Sequence, residues 1–134
     1  MNEWIDIKTP AHQAMVPLTR HVAAKLDTMD LTNGLVHLFV QHTTCGLTIN
    51  ENADPDVTKD LIRRLESLVP WDDPQDQHAE GNTAAHLRSQ LTGISLSIPV
   101  VDGKMQLGIW QGIYLCEFDG PRNRRVIMTT TKSD

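Results

Sequence analysis

The chain has 134 residues, a formal net charge of −5, six histidines, two cysteines and few aromatic residues. At that length one domain buries roughly two thirds of the surface of its unfolded form, so no disulfide is needed, and Cys45 and Cys116 are expected as free thiols in a reducing, cytoplasmic setting. The basic residues are scattered apart from Arg122, Arg124 and Arg125, which argues against a nucleic-acid binder, and no apolar run is long enough for a signal peptide or a membrane span.

No repeat, low-complexity tract or Gly/Ser linker divides residues 1–134, so the sequence reads as a single domain. Trp4 to Ile7 reads as a strand, and Val22, Leu26 and Met29 recur at helical spacing behind a candidate cap at Thr19 with Leu18 as its staple. After the Asn33-Gly34 turn, Leu35 to His42 is apolar and β-branched enough for a buried strand, with His42 on the face of Val36, Leu38 and Val40. Leu47 to Asn50 reads as a further strand. Asp54-Pro55 then supplies an N-cap and a first-turn proline for a helix carrying Val57, Leu61, Leu65 and Leu68, which Pro70 stops.

Pro70 to Asn82 is polar and acidic and reads as a long surface loop, followed by a short helix with His86, Leu87 and Leu91. Ile94, Leu96, Ile98 and Val100 alternate as a strand, and Asp102-Gly103 fits a two-residue turn into a return strand from Lys104 to Trp110. Strands at Ile113 to Phe118 and Arg124 to Thr130 complete the chain around Asp119-Gly120-Pro121. Hairpin-linked strands with about three helices indicate an α+β fold, mostly antiparallel, sandwich-like or built on one large mixed sheet.

Three polar clusters interrupt this pattern. The first joins Gln41-His42-Thr43-Thr44-Cys45-Gly46 to Asn50, Glu51 and Asp54, a concentration of hydrogen-bonding groups at a strand end that folding alone does not require; turn formers, a helix cap and a core histidine are the structural alternative. The second holds His78, Glu80 and His86, residue types that ligate zinc, at a spacing matching no tight metalloprotease pattern, so solvated loop residues stand as the alternative. The third is Gly108-Ile109-Trp110-Gln111-Gly112, where Trp110 and Gln111 could floor and hydrogen-bond a small ligand, or Trp110 could simply fill core. Cys45 near His42 invites comparison with a Cys-His nucleophile, though free cysteine is most often merely buried. The arginines at 122, 124 and 125 suit a phosphate or carboxylate, or a solvated turn.

In the order His42-Thr43-Thr44, Asn50-Glu51, Asp54-Pro55, Glu80-Gly81-Asn82 with His86, Gly108, Trp110-Gln111 and Arg124-Arg125, the chain resembles the YjbQ-like family of uncharacterised small proteins, to which a secondary thiamine-phosphate synthase activity is sometimes assigned. The resemblance implies an α+β fold, a homotrimer and a pocket with His42, His78 and His86 as metal ligands. Glu51, Asp54 and Gln111 would serve catalysis, and Asn50, Trp110, Arg124 and Arg125 would hold the substrate. Ile109 departs from the threonine usual in the family, and Cys45 stands where serine or alanine is also accepted.

The resulting expectation is a metal-assisted enzyme acting on a small phosphorylated metabolite, with thiamine-phosphate synthase activity as a secondary activity. Its divalent ion would be zinc in the first place, or magnesium if diphosphate chemistry operates, with Glu51 as general base or orienter. The alternative is a non-catalytic trimeric module that binds a metal or a small anion. Neither expects a nucleic-acid or membrane partner.

Overall fold

The structure is a computed structural model and describes residues 2–133. Eight strands and three helices follow in the order β1 (Asn2–Lys8), β2 (Ala14–Pro17), α1 (Thr19–Thr28), β3 (Gly34–Val40), β4 (Cys45–Glu51), α2 (Pro55–Leu68), α3 (Thr83–Thr92), β5 (Ser95–Val101), β6 (Lys104–Met105), β7 (Gln111–Glu117) and β8 (Asn123–Lys132). Every strand pair is antiparallel. One sheet has the order β1-β8-β3-β5-β6 and the other β2-β7-β4, so the fold is α+β and sandwich-like.

Period-two alternation sorts the side chains. Val36, Leu38, Val40, Ile98, Val100, Val126 and Met128 of the larger sheet face Leu47, Ile113 and Leu115 of the smaller, and Val22 and Leu26 of α1 close that core. The other face of the smaller sheet, through Tyr114, Cys116 and Phe118, packs on Ala85 of α3 with Leu65 of α2 alongside. α2 buries none of its residues fully, although its apolar positions are in helical register. The outer face of the larger sheet carries Trp4, Leu35 and Phe39 in the open.

Several local expectations are met. Asp54 caps α2 by accepting from the Asp56 amide at 2.9 Å, Pro55 opens the helix, and Asp102 and Gly103 take φ of 51° and 76° in the β5–β6 turn. Others shift. Thr19 does not cap α1; it is the first helical residue, and its hydroxyl accepts from the Ile113 amide at 2.9 Å while Leu18, at the cap position, is fully buried. The strand expected to run to His42 ends at Val40, which leaves His42 in the connection to β4. The return strand expected from Lys104 to Trp110 is only Lys104–Met105, because Gly108 to Gln111 closes a turn in which the Gln111 amide donates to the Gly108 carbonyl at 3.0 Å. β2 is not legible in the sequence: its four residues pair with β7, between a polar approach and a proline.

Candidate functional site

A corner where three elements meet carries the histidines. β3 delivers His42 beside β8, the start of β4 supplies Thr43 and Thr44, and the N-terminal end of α3 supplies Asn82 and His86. α3 is fastened there by side chains: Ser89 Oγ donates to the Cys45 carbonyl at 2.6 Å, and Asn82 Nδ2 donates to Asp119 Oδ2 at 2.9 Å. The helix comes this close because Gly46 has no side chain; a Cβ there would lie 2.5 Å from the Gly93 carbonyl oxygen, which accepts from the Leu47 amide. In the loop before α3, the Gly81 amide donates to the His78 carbonyl at 3.1 Å and Gly81 takes φ of 71°, folding His78 back over the helix.

The outcome is a hollow of about 360 Å³ lined by His42, Thr43, His78, Glu80, Asn82, His86, Arg122 and Arg124 among others. A second hollow of about 400 Å³ shares His42, Thr43 and His86 with it and extends along Ser89, Gln90 and Ile94. The rings of His78 and His86 lie 5.5 Å apart centre to centre and nearly perpendicular, at 80°. Two imidazoles on one tetrahedral zinc, with bonds of about 2.0–2.1 Å, have their centres roughly 5 Å apart, so the separation of this pair is of the size a shared divalent ion would require. Among the described residues no three His, Cys, Asp or Glu side chains already converge on one point.

Beneath the pocket lies a buried ion pair. Arg124 and Glu117, 3% and 0% exposed, meet through Nε–Oε1 at 2.9 Å and Nη2–Oε2 at 2.5 Å. Thr9 Oγ1 and the Asp119 amide donate to the same carboxylate, and Arg124 Nη2 also donates to Thr44 Oγ1 at 2.8 Å. Burial pushes the Glu117 carboxyl up, but the hydrogen bonds from Arg124, Thr9 and Asp119 outweigh it and hold it below the usual range. Burial also opposes the charge on Arg124, and Glu117 reverses that effect. His42 is lowered, first by burial and then by the Arg124 charge, and is therefore biased toward neutral imidazole. Its Nε2 accepts from the Arg125 amide at 3.0 Å.

Other residues singled out from sequence lie elsewhere. Glu51, Asp54 and Trp110 line a separate hollow of about 450 Å³ at the far end of β4, and the strand from Cys45 to Glu51 spans roughly 20 Å at about 3.3 Å per residue. There Glu51 Oε2 accepts from the Ala53 amide at 2.9 Å, Asp54 caps α2, and Gln111 Oε1 accepts from the Gly108 amide at 2.8 Å. Asn50 Oδ1 accepts from the Glu51 amide. The Arg125 side chain is on the opposite face of β8 from Arg124, paired with Asp6 at 2.8 Å. Thus the structure gathers His42, His78, His86 and Arg124, and does not bring Asn50, Glu51, Asp54, Trp110, Gln111 or the Arg125 side chain to them within one chain.

The family model for UPF0047 protein YjbQ-like matches residues 3–133. The chain belongs to the YjbQ-like family. It is 49% identical over 124 residues to the UPF0047 protein YugU of Bacillus subtilis, covering 92% of this chain and 94% of that one. A UPF0047 protein of Methanocaldococcus jannaschii is 44% identical, over 89% and 86% of the two chains. Among solved structures, an uncharacterised YjbQ/UPF0047 protein from Clostridium acetobutylicum superposes with a TM-score of 0.93 at 40% identity, over 96% and 99% of the two chains. A conserved hypothetical protein from Thermus thermophilus gives 0.90 at 47%, over 96% and 99%.

Two features of this YjbQ-like site qualify the reading from sequence. The Cys45 thiol is buried and pushed up to about 11 by that burial, which disfavours the thiolate that a nucleophile needs. Glu117 is the second, and it is absent from the candidates that the sequence suggests. Its signal is there nonetheless: a carboxylate ending the apolar run Ile113-Tyr114-Leu115-Cys116 must find a partner if the strand is buried, and Arg124 on the next strand is that partner.

Proposed function

We propose that the protein is a metal-assisted enzyme acting on a small phosphorylated metabolite in the pocket between the start of β4 and the N-terminal end of α3. The observation that carries this reading is the His78–His86 pair, with ring centres 5.5 Å apart, in a hollow that also holds Glu80, Arg122 and Arg124. When bound, a divalent ion, zinc first and magnesium if diphosphate chemistry operates, would polarise a phosphate oxygen or supply an activated water. Arg122 at the rim and Arg124 at the floor, each held by a carboxylate, Asp119 and Glu117 respectively, would offer guanidinium N–H donors to a phosphate. Glu80 is the carboxylate of the pocket that could accept a proton, in place of Glu51, whose carboxylate is engaged on the Ala53 amide at the other end of β4.

Joining a pyrimidine diphosphate to a thiazole phosphate, with the thiazole nitrogen displacing pyrophosphate, is the thiamine-phosphate synthase activity, and it would fall within this class as a secondary activity. Steady-state coupling of the two precursors by wild type and by His86→Ala tests it. The reading expects the variant to lose the rate; equal rates would remove the pocket from that chemistry.

A non-catalytic binding module is the second reading, favoured by the engagement of Glu51 on the Ala53 amide and of Asp54 in the cap of α2. It expects thermal stabilisation by zinc or phosphate without turnover. In either reading we take the protein to be a cytoplasmic homotrimer. What supports assembly is apolar surface in the open: Leu68 and Leu91 on the helices, and Ile109 and Trp110 at the β7 turn. Light scattering on the full chain measures that state directly.

A further inference from the structure

His42 shares the pocket with His78 and His86, but its hydrogen bonding sets it apart from them. Nε2 lies 3.0 Å from the amide nitrogen of Arg125 on the neighbouring strand β8, and that amide donates to it. A peptide N–H can only give a proton, so Nε2 must present its lone pair. A neutral imidazole carries one N–H, which places that proton on Nδ1. Nδ1 has no hydrogen-bond partner among the described residues, and the ring borders both hollows around His86.

This arrangement does not suit metal ligation. An ion needs a lone pair, and Nδ1 could offer one only if Nε2 took the proton and turned an N–H against the Arg125 N–H. Turning the ring over would set a C–H against the same amide and leave that donor without its acceptor. The arrangement does suit an anionic acceptor: the free N–H is on a ring that borders the hollow, where Arg124 and Arg122, paired with Glu117 and Asp119, add further N–H donors beside the Glu80 carboxylate.

We infer that His42 is not a third ligand beside His78 and His86 but a donor fixed in one tautomer, its Nδ1–H serving an anionic oxygen of the bound phosphate. The inference rests on the reading of the pocket given above. The three histidines then have different roles, two holding the ion while the third holds the substrate anion in place against it.

Side-chain nitrogen–proton correlation spectra of the full-length protein at neutral pH test the assignment, with the His42 signals identified by their loss in His42→Asn. The expected spectrum shows His42 protonated on Nδ1, and added zinc changes the ring nitrogens of His78 and His86 while His42 keeps its pattern. In a second arm, inorganic phosphate is titrated into metal-free protein. His42→Asn places an amide nitrogen where Nδ1 stood and His42→Gln places it nearer Nε2. The first should bind within about threefold of wild type and the second about tenfold more weakly, the effect of one hydrogen bond to an anion.

His42 protonated on Nε2, zinc bound by a His42 nitrogen, wild type failing to bind phosphate, or both variants binding like wild type would each overturn the inference. Zinc touching none of the three rings, with phosphate still bound through His42, would support the donor role while removing the ion from the function proposed above. Amide dispersion of each variant confirms that it folds.

Discussion

Arg124 and Glu117 meet through two nitrogen–oxygen contacts, at 2.9 and 2.5 Å, under the floor of the histidine pocket, where neither has more than a few per cent of its surface exposed. Glu117→Gln removes one charge and leaves the other buried, at a cost of about 3–5 kcal/mol. Replacing both partners with leucine should cost much less, because no unpaired charge is left behind. Urea unfolding of the two variants measures the difference. Equal losses in both would mean that the pair contributes through its hydrogen bonds with Thr9, Thr44 and Asp119 and not through charge balance.

Acid should loosen the fold in two steps, read as melting temperature against pH with a chelator present. His42 has a folded pKa below its ordinary value of about 6.5. Between those values the unfolded chain binds the proton and the folded one does not, so stability falls as pH drops below about 6.5. Glu117 is likewise depressed; its contribution is complete above the unfolded value of about 4.3 and is lost as pH falls through the folded one. His42→Asn should flatten the upper step and leave the lower. A profile unchanged by that substitution would contradict the account of His42.

The separation of the two hollows along β4 makes Glu51 and Asp54 dispensable to the histidine pocket. Asp54→Ala removes the cap on α2 and should cost about 0.5–2 kcal/mol, with zinc and phosphate binding preserved. Glu51→Ala should likewise bind both ligands as wild type does. Loss of either ligand in a folded variant would join the two hollows into one site.

Gly46 sets how near α3, and so His86, comes to β4. Gly46→Ala drives a methyl group into the Gly93 carbonyl and should destabilise by about 1–3 kcal/mol, weakening zinc binding through the displaced helix. Zinc titration by calorimetry, beside a melting curve, separates the two effects. Unweakened zinc binding would mean that the helix position does not set the ion site.

The fold is legible in the sequence where a local signal and the burial pattern agree. Asp54-Pro55 and Asp102-Gly103 mark a helix start and a turn, and the alternation of Ile98 and Val100 marks a strand facing the core. β2 escapes because four residues are too few for a period to show. Within the site, His42, His78 and His86 are visible as residue types, but their meeting depends on α3 docking across Gly46, which no local pattern encodes. Arg124 and Arg125 look alike in sequence, yet a strand sends neighbours to opposite faces: one is buried on Glu117 and the other pairs with Asp6. Glu51 looks catalytic by its company in sequence, and its carboxylate instead holds the backbone that leads into α2.

If His78 and His86 hold one ion between them, as proposed, the zinc content of each chain must depend on both rings. Wild type loaded with zinc and dialysed should retain about one equivalent, while His78→Ala and His86→Ala, each checked for folding, should retain almost none. Wild type that keeps no zinc, or variants that keep as much as wild type, would contradict it.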